Sequence, residues 1–474
     1  MRSRAVVLLA VLAAGCTSKP EPPPSPTSTG SAPASAVADP CANAKQEGPL
    51  AWIADDYPSA LACARARKVP LVLDLWAPWC HTCLSMQTTV FVDPSFAADA
   101  KRFVFAALDT DREENAPALE QLAISAWPTF YVIGPGEAVM ARFVGAASVA
   151  QFHGFLDAGA RALAGGVAAA DAHLLSAERA LAVKDLATAD TELTAAIAGA
   201  PADWERRPEV IGSLILTKFK RDDLAGCLQV EDQLGSATGS AAVASDVMVT
   251  ATMCADKAEE LAKGSAAPAT NPDAHAIEHA RRVAVARWLP LVADARAPLS
   301  VDDRSDAMAS LRDTLDKLGD HAKAHEVAAA QRDLLDRTAQ QATTPLAAMT
   351  YNWPRAEVYV YLGKPLDLVP ALEQSAKDLP AEYDPLARLG WIYWKAKQLP
   401  AAAAWTDKAL ALVYGPRKAR LLVTRADIAR DAGDQAAELA FRRAAVEQYA
   451  HLPKGEENPA GLATAKTALA AIDH

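Results

Sequence analysis

Leu71-Val72-Leu73-Asp74-Leu75-Trp76-Ala77-Pro78-Trp79-Cys80-His81-Thr82-Cys83 is the stretch on which the fold turns. Its first six residues are a short apolar run carrying one charge, the pattern of a central strand covered on both faces. Pro78 marks a turn, and a helix is expected to open at the cysteines and run to about residue 89. Working outward, a second strand is read over 103–108 and a short helix over 116–123. A third strand follows over 128–133, and Gly134-Pro135-Gly136 turns into a fourth over 139–144. A closing helix is expected over 148–163, and a further one, over 57–67, precedes the first strand. The order βαβαββα predicts a mixed α/β domain over residues 41–165.

The chemistry of this stretch follows from position. A helix N-terminus presents N–H groups without helical partners and a partial positive charge. A cysteine there, as Cys80 is predicted to be, has its thiolate stabilised. Cys83 lies one helical turn on, within bridging reach. Cys80 can attack a substrate disulfide, and Cys83 can then resolve the mixed disulfide. Asp74 is the one charged residue in a strand expected to be buried. Its pKa should rise, making it a candidate base for Cys83, the alternative being a carboxylate at a water-exposed strand end. His81, if protonated, favours the Cys80 thiolate and tunes the redox poise; if it faces solvent it is mostly neutral. A lone CxxC can also be half of a zinc site, but no second Cys/His pair at ligand spacing lies nearby, so no metal is expected.

The set Leu73-Asp74-Leu75, Ala77, Trp79-Cys80, Cys83, Asp93-Pro94 and Pro128-Thr129 resembles the thioredoxin fold. It is most similar to the periplasmic C-terminal domain of DsbD-type reductases, over about a quarter of the chain. The resemblance implies a thiol–disulfide oxidoreductase with Cys80 and Cys83 as the redox-active pair. It assigns Trp79, Asp74 and His81 to the catalytic loop and its surroundings, with Pro128 as a cis proline whose loop pairs with substrate. No cofactor is expected. Trp127 is larger than the residue often found before that proline, and His81-Thr82 matches none of the family's common dipeptides, which leaves the direction of catalysis open.

The chain's start reads as an export signal. Met1-Arg2-Ser3-Arg4 is basic, residues 5–14 are apolar, and Ala13-Ala14-Gly15 precedes Cys16. This resembles a bacterial lipoprotein signal over 1–16, in which Cys16 would be acylated; an ordinary cleaved signal is the alternative. Thr17 after the cysteine implies the outer membrane more than the inner, and a periplasm-facing body anchored by lipid alone. Residues 17–40 are Pro-, Ser- and Ala-rich, the composition of a disordered stalk. Setting Cys16 aside leaves six of the seven cysteines, which fall as neighbouring pairs. Cys41 and Cys63 read as a structural bridge, with two buried thiols or a second redox pair as alternatives. Cys227 and Cys254 read as another, in adjacent helices.

From about residue 171 to 474, Ala-rich amphipathic helices replace the strand signals. Leu389-Gly390-x-x-Tyr393, Ala402 and Lys408-Ala409-Leu410 resemble a tetratricopeptide repeat. Ala189, Ala196 and Pro201 repeat the spacing of its second helix. Gly319, Gly363, Lys397 and Gly433 stand as inter-helix turns at intervals of 44, 34 and 36 residues. Such an array implies a groove for a peptide or protein ligand. His275-Ala276-Ile277-Glu278-His279 matches H-x-x-E-H, but it sits in an Arg-containing helix without a third-ligand motif and reads as a solvated face, as do His321 and His325.

Composition narrows the function classes. Asp and Glu (58) outnumber Lys and Arg (47), for a net charge of −11, which disfavours nucleic-acid binding. Apolar residues make up 51%, ample for packed cores. The expectation is an envelope oxidoreductase, as a reductase or isomerase partner, exchanging disulfides with exported proteins and drawing on an upstream envelope dithiol donor. The alternative is a helical-repeat interaction or scaffold lipoprotein whose thioredoxin-like domain docks a partner without turnover.

Overall fold

The computed structural model describes residues 39–472, apart from 125, 166–168, 240–241, 265–269 and 454–455. The signal-like segment with Cys16, and the stalk up to residue 38, lie outside the described residues.

Leu71–Trp76 is indeed a central strand, β3, in a six-stranded sheet of order β1-β2-β4-β3-β5-β6. The other strands are β1 (Lys45–Glu47), β2 (Leu50–Ala54), β4 (Val104–Asp109), β5 (Thr129–Ile133) and β6 (Val139–Val144). β3 runs parallel to β4 and antiparallel to β5, and this register sets Asp74 beside Ala107 and Phe130. Alternation along the strand splits its side chains between two cores. Leu71, Leu73 and Leu75 face one core with helix α1 (Tyr57–Arg67). Val72 faces the other, with Phe105, Phe130, Phe152 and Phe155, and Asp74 has the parity of Val72. Full burial of each leucine contributes about 1.5–3 kcal/mol, which fixes the register, since a one-residue slip would exchange the two faces.

Helix boundaries follow their caps. Asp56 accepts the Ser59 N–H to start α1, and Ser148 and Gln151 form a capping box that starts α5 (Val149–Leu163). Helix α2 (His81–Ser85) passes into a π-helical turn, Met86–Val90, so the segment expected as one helix changes hydrogen-bond pattern midway. Asp99–Arg102 forms a single-turn α3. The helix expected over 116–123 is shorter, α4 (Ala116–Leu119), and the Ala123 N–H leaves it to bond Ala182 O at 2.8 Å. The hairpin β1–β2 was not anticipated, because three exposed polar residues and a five-residue run carry little strand signal.

The array consists of antiparallel helices beginning at Ala169, two residues earlier than expected. It opens with α6 (Ala169–Ala182) and α7 (Leu186–Gly199), then α8 (Arg207–Lys220) and α9 (Leu224–Leu234). The long helices α10 (Ala242–Lys263), α11 (Ala274–Ala293), α12 (Val301–Lys317) and α13 (His321–Gln341) follow, then α14 (Pro345–Met349), α15 (Asn352–Tyr361) and α16 (Val369–Asp378). α17 (Tyr383–Lys395), α18 (Leu399–Leu410), α19 (Gly415–Asp431), α20 (Gln435–Ala450) and α21 (Pro459–Ala470) complete it. The four turn positions Gly319, Gly363, Lys397 and Gly433 all have positive φ, 82°, 71°, 61° and 74°, the left-handed conformation that ends one helix and reverses the chain. Gly390 lets α17 and α18 cross closely, since a Cβ there would meet Thr406 Oγ1 at 2.4 Å. Cys227 and Cys254 join α9 to α10 in a disulfide within the array's first core, and Cys41 is bonded to Cys63 of α1.

The array packs against the sheet domain. α6 lies along β6, with Arg179 Nε donating to Val139 O at 3.1 Å, and α12 and α14 pack on α2. His279 pairs with Asp232 and Glu278 with Arg282, on the exposed side of α11; His321, also exposed, pairs with Asp316. Among the described residues, no helix is long and apolar enough to cross a membrane.

Candidate active site

The site is built where β3 hands over to α2. Cys80 is the N-cap of α2, and its Sγ accepts the Cys83 N–H at 3.0 Å. That is the thiolate-favouring end of the helix. Cys80 and Cys83 are joined in a disulfide, with Cα atoms 5.2 Å apart. The pair is nearly covered, Cys80 being 5% and Cys83 1% exposed. The Trp127–Pro128 peptide bond is cis. The Trp127 and Trp79 rings meet edge to face at 5.0 Å, so the loop before β5 lies directly beside the dithiol loop.

Asp74 lies on β3, the strand that runs into the dithiol loop. It is 2% exposed, its Oδ1 has no hydrogen-bond partner, and burial pushes its pKa up to about 8. A carboxyl so placed is mostly protonated at neutral pH, yet it titrates close to an ordinary thiol and is thus matched to exchange a proton with one.

Around the dithiol loop lie groups that the sequence did not single out. Trp79 Nε1 donates to Asp111 Oδ2 at 3.0 Å, and the Arg417 guanidinium sits 5.2 Å from the Trp79 ring. Burial, with Asp109 adding, pushes Asp111 up to about 7. The Trp79 ring packs with Tyr383, Ala387 and Val413, all from the array. Tyr414 donates its hydroxyl hydrogen to Asp109 at the end of β4. His81 does not face open solvent: Nδ1 lies 2.8 Å from Asp302 Oδ1 and Nε2 lies 3.9 Å from Asp306 Oδ2, both on α12. His81, Asp302 and Asp306 offer one ligand atom each within 4.8 Å of one another, and the His81–Asp302 contact is a hydrogen bond. Asp302 is a first-turn acid of α12 and Asp306 lies one turn further along it. Nothing local signals that they reach residue 81.

Two cavities flank the dithiol, each walled by both parts of the chain. One of ≈ 450 Å³ is lined by Thr82, Trp127, Arg142, Asp246, Asp303 and Asp306. The other, ≈ 260 Å³, lies between Trp79, Asp111, Trp127, Arg417, Arg420 and Glu456. The structure thus brings Trp79, Cys80, His81, Cys83 and the Trp127–Pro128 loop together, with Asp74 buried on the strand that leads into the dithiol loop. Cys41, Cys63, Cys227 and Cys254 lie in separate bridges.

Residues 51–135 match the family model described as thioredoxin-like. The chain is similar to the thiol:disulfide interchange protein DsbD of Vibrio vulnificus (strain CMCP6), 35% identical over 60 residues, or 13% of this chain and 10% of that protein. It is also similar to the thioredoxin of Haemophilus influenzae (strain ATCC 51907 / DSM 11121 / KW20 / Rd), 31% identical over 90 residues, or 19% of this chain and 78% of the thioredoxin. The chain therefore spans only a small part of the DsbD protein's length. A solved tetratricopeptide repeat protein from Parabacteroides merdae ATCC 43184 is similar over 64% of this chain and 99% of its own, at 11% identity and a TM-score of 0.41.

Proposed function

The chain belongs to the thioredoxin family through its N-terminal domain, and from that premise we propose that it is an envelope thiol–disulfide oxidoreductase acting on exported proteins through Cys80 and Cys83. The observation that carries this reading is the disulfide-bonded pair at the helix N-terminus, following a strand that holds the buried Asp74, whose Oδ1 has no hydrogen-bond partner. In the reducing direction the Cys80 thiolate attacks one sulfur of a substrate disulfide. That bond breaks, a mixed disulfide forms, and the released substrate thiolate takes up a proton. Cys83 then gives its proton to the ionised fraction of Asp74 and attacks the Cys80 sulfur; the second substrate sulfur leaves as a thiolate and takes that proton from Asp74, and the Cys80–Cys83 disulfide is restored. Two electrons have passed to the substrate, and a dithiol donor in the envelope returns them. The same steps in reverse would oxidise a substrate dithiol.

On this reading the substrate approaches along the cavity between Thr82, which lies between the two cysteines, and Trp127, which precedes the cis proline. This favours a cysteine-bearing chain segment over a broad folded surface. The envelope location and the lipid anchor rest on the basic and apolar start of the chain and on Cys16; a peptide or protein ligand for the array rests on its paired helices. The burial of Cys80 is the one observation on the side of a docking module without turnover, and one experiment separates the two readings. With the full chain and a disulfide-bonded peptide, Cys80→Ser abolishes exchange and Cys83→Ser accumulates mixed disulfides, read by mass spectrometry. Equal behaviour of both variants and the native chain would leave the docking reading.

A further inference from the structure

The residue after the nucleophile is held by a part of the chain 221 positions away. Asp302 is itself buried, its side chain 1% exposed, in the first turn of α12, where the helix N–H groups attract negative charge. Its Oδ1 is 2.8 Å from His81 Nδ1, and its Oδ2 has no hydrogen-bond partner. Nothing but the imidazole compensates it among the hydrogen bonds described. A buried carboxylate so dependent on one partner favours that partner's charged form. Nε2 of the same ring faces Asp306. That second approach is 3.9 Å, too long for a hydrogen bond, so Asp302 is the ring's hydrogen-bond partner and Asp306 acts on it through space.

The surrounding charges act in one direction. Asp302, Asp303 and Asp306 approach from α12 and Glu357 from α15; α14, also packed on α2, carries no titratable side chain, and Tyr351 just beyond it lies near Asp302. Burial alone would lower the His81 pKa, but Asp302, then Asp306 and Glu357, push it up to about 10. Asp306 is pushed up to about 8 by its own burial and by Asp302, Asp303 and Glu357, with His81 opposing, so Asp302 is the main counter-charge.

We propose that Asp302 is a positioning residue for the dithiol: by holding His81 as an imidazolium beside Cys80, it lets the helical array set the thiolate fraction and the reduction potential of the Cys80–Cys83 pair. This rests on the oxidoreductase reading above. A cation next to Cys80 stabilises the thiolate, hence the reduced pair, and makes the disulfide more oxidising than the same pair beside a neutral histidine. The array, on this view, is part of the redox centre.

The test uses the full chain and four variants: Asp302→Asn, Asp302→Glu, His81→Asn and His81→Asn with Asp302→Asn. Each is equilibrated with reduced and oxidised glutathione, and the pH profile of Cys80 alkylation is recorded on the reduced form. Asp302→Asn is expected to shift the equilibrium about tenfold against the reduced pair, close to 30 mV for two electrons, and to move the alkylation profile to higher pH. Asp302→Glu restores the charge and should return both readouts toward the native values, which separates loss of charge from misfolding. His81→Asn should shift both in the same direction as Asp302→Asn, and the double variant should match His81→Asn alone. If native protein exchanges with glutathione but Asp302→Asn matches it, this proposal is overturned while the oxidoreductase reading stands. An undiminished Asp302→Asn effect in the His81→Asn background overturns it as well. A native pair that never exchanges overturns the oxidoreductase reading, and the proposal with it.

Discussion

Two carboxylates belong to the elements that carry or contact the dithiol loop, one from each part of the molecule. Asp74 lies on β3, the strand that runs into the dithiol loop, and Asp302 on α12, against His81. Both are almost fully buried, 2% and 1% exposed. Asp74 has an oxygen without a hydrogen-bond partner, and burial drives it toward the neutral acid. Asp302 meets His81 in a hydrogen bond. The two differ in their surroundings: each has an orphan oxygen, but Asp302 also has a hydrogen-bonded imidazole. The difference suits two tasks. A group that must take up and release a proton is left without a counter-charge, and a group that must hold a neighbour charged is given one.

The largest expected effect concerns Asp74. Asp74→Asn should slow resolution of the mixed disulfide by about 10²-fold, measured by acid quench and mass spectrometry, because Cys83 loses its proton acceptor. A resolution rate equal to the native one would remove the functional half of the comparison. The same variant has a stability signature. The folded-state pKa of Asp74 is raised, so between about pH 4 and pH 8 the unfolded chain has released this proton while the folded chain keeps it. Stability should fall as pH rises through that window, and Asp74→Asn should flatten the fall by a few kcal/mol in denaturant titrations at pH 5 and pH 8.

A smaller effect is expected where the array docks. Tyr414→Phe removes the hydroxyl that bonds Asp109 and leaves a buried acceptor, at a cost of about 1 kcal/mol in denaturant unfolding. Exchange with a small disulfide should be almost unchanged, because Tyr414 touches neither cysteine nor His81. A large loss of exchange in this variant would mean that docking, and not only the Asp302–His81 pair, governs the chemistry of the dithiol.

The two regions also differ in what the sequence discloses. Asp74, Cys80 and Cys83 are legible because strand parity, a turn proline and one helical turn of spacing are local facts within thirteen residues. The inter-helix turns at Gly319, Gly363, Lys397 and Gly433 were legible for the same reason, since each is a local backbone reversal. Asp302 was not, because its partner is fixed only when α12 packs on α2, and a first-turn aspartate has an adequate local role as a helix-end acid. Trp79 was quoted as part of the motif, yet its packing against Tyr383 and Val413 was invisible for want of any signal linking residues some three hundred apart. The β1–β2 hairpin was missed because its edge strand is polar and only three residues long.

The most direct test is a redox titration of the intact native chain in glutathione buffers, with each cysteine pair followed by differential alkylation and mass spectrometry. Cys80–Cys83 should interconvert reversibly in a single two-electron transition, while Cys41–Cys63 and Cys227–Cys254 stay oxidised over the same range. A Cys80–Cys83 pair that stays oxidised throughout, or that opens only together with the other two, would contradict its role as the exchanging pair.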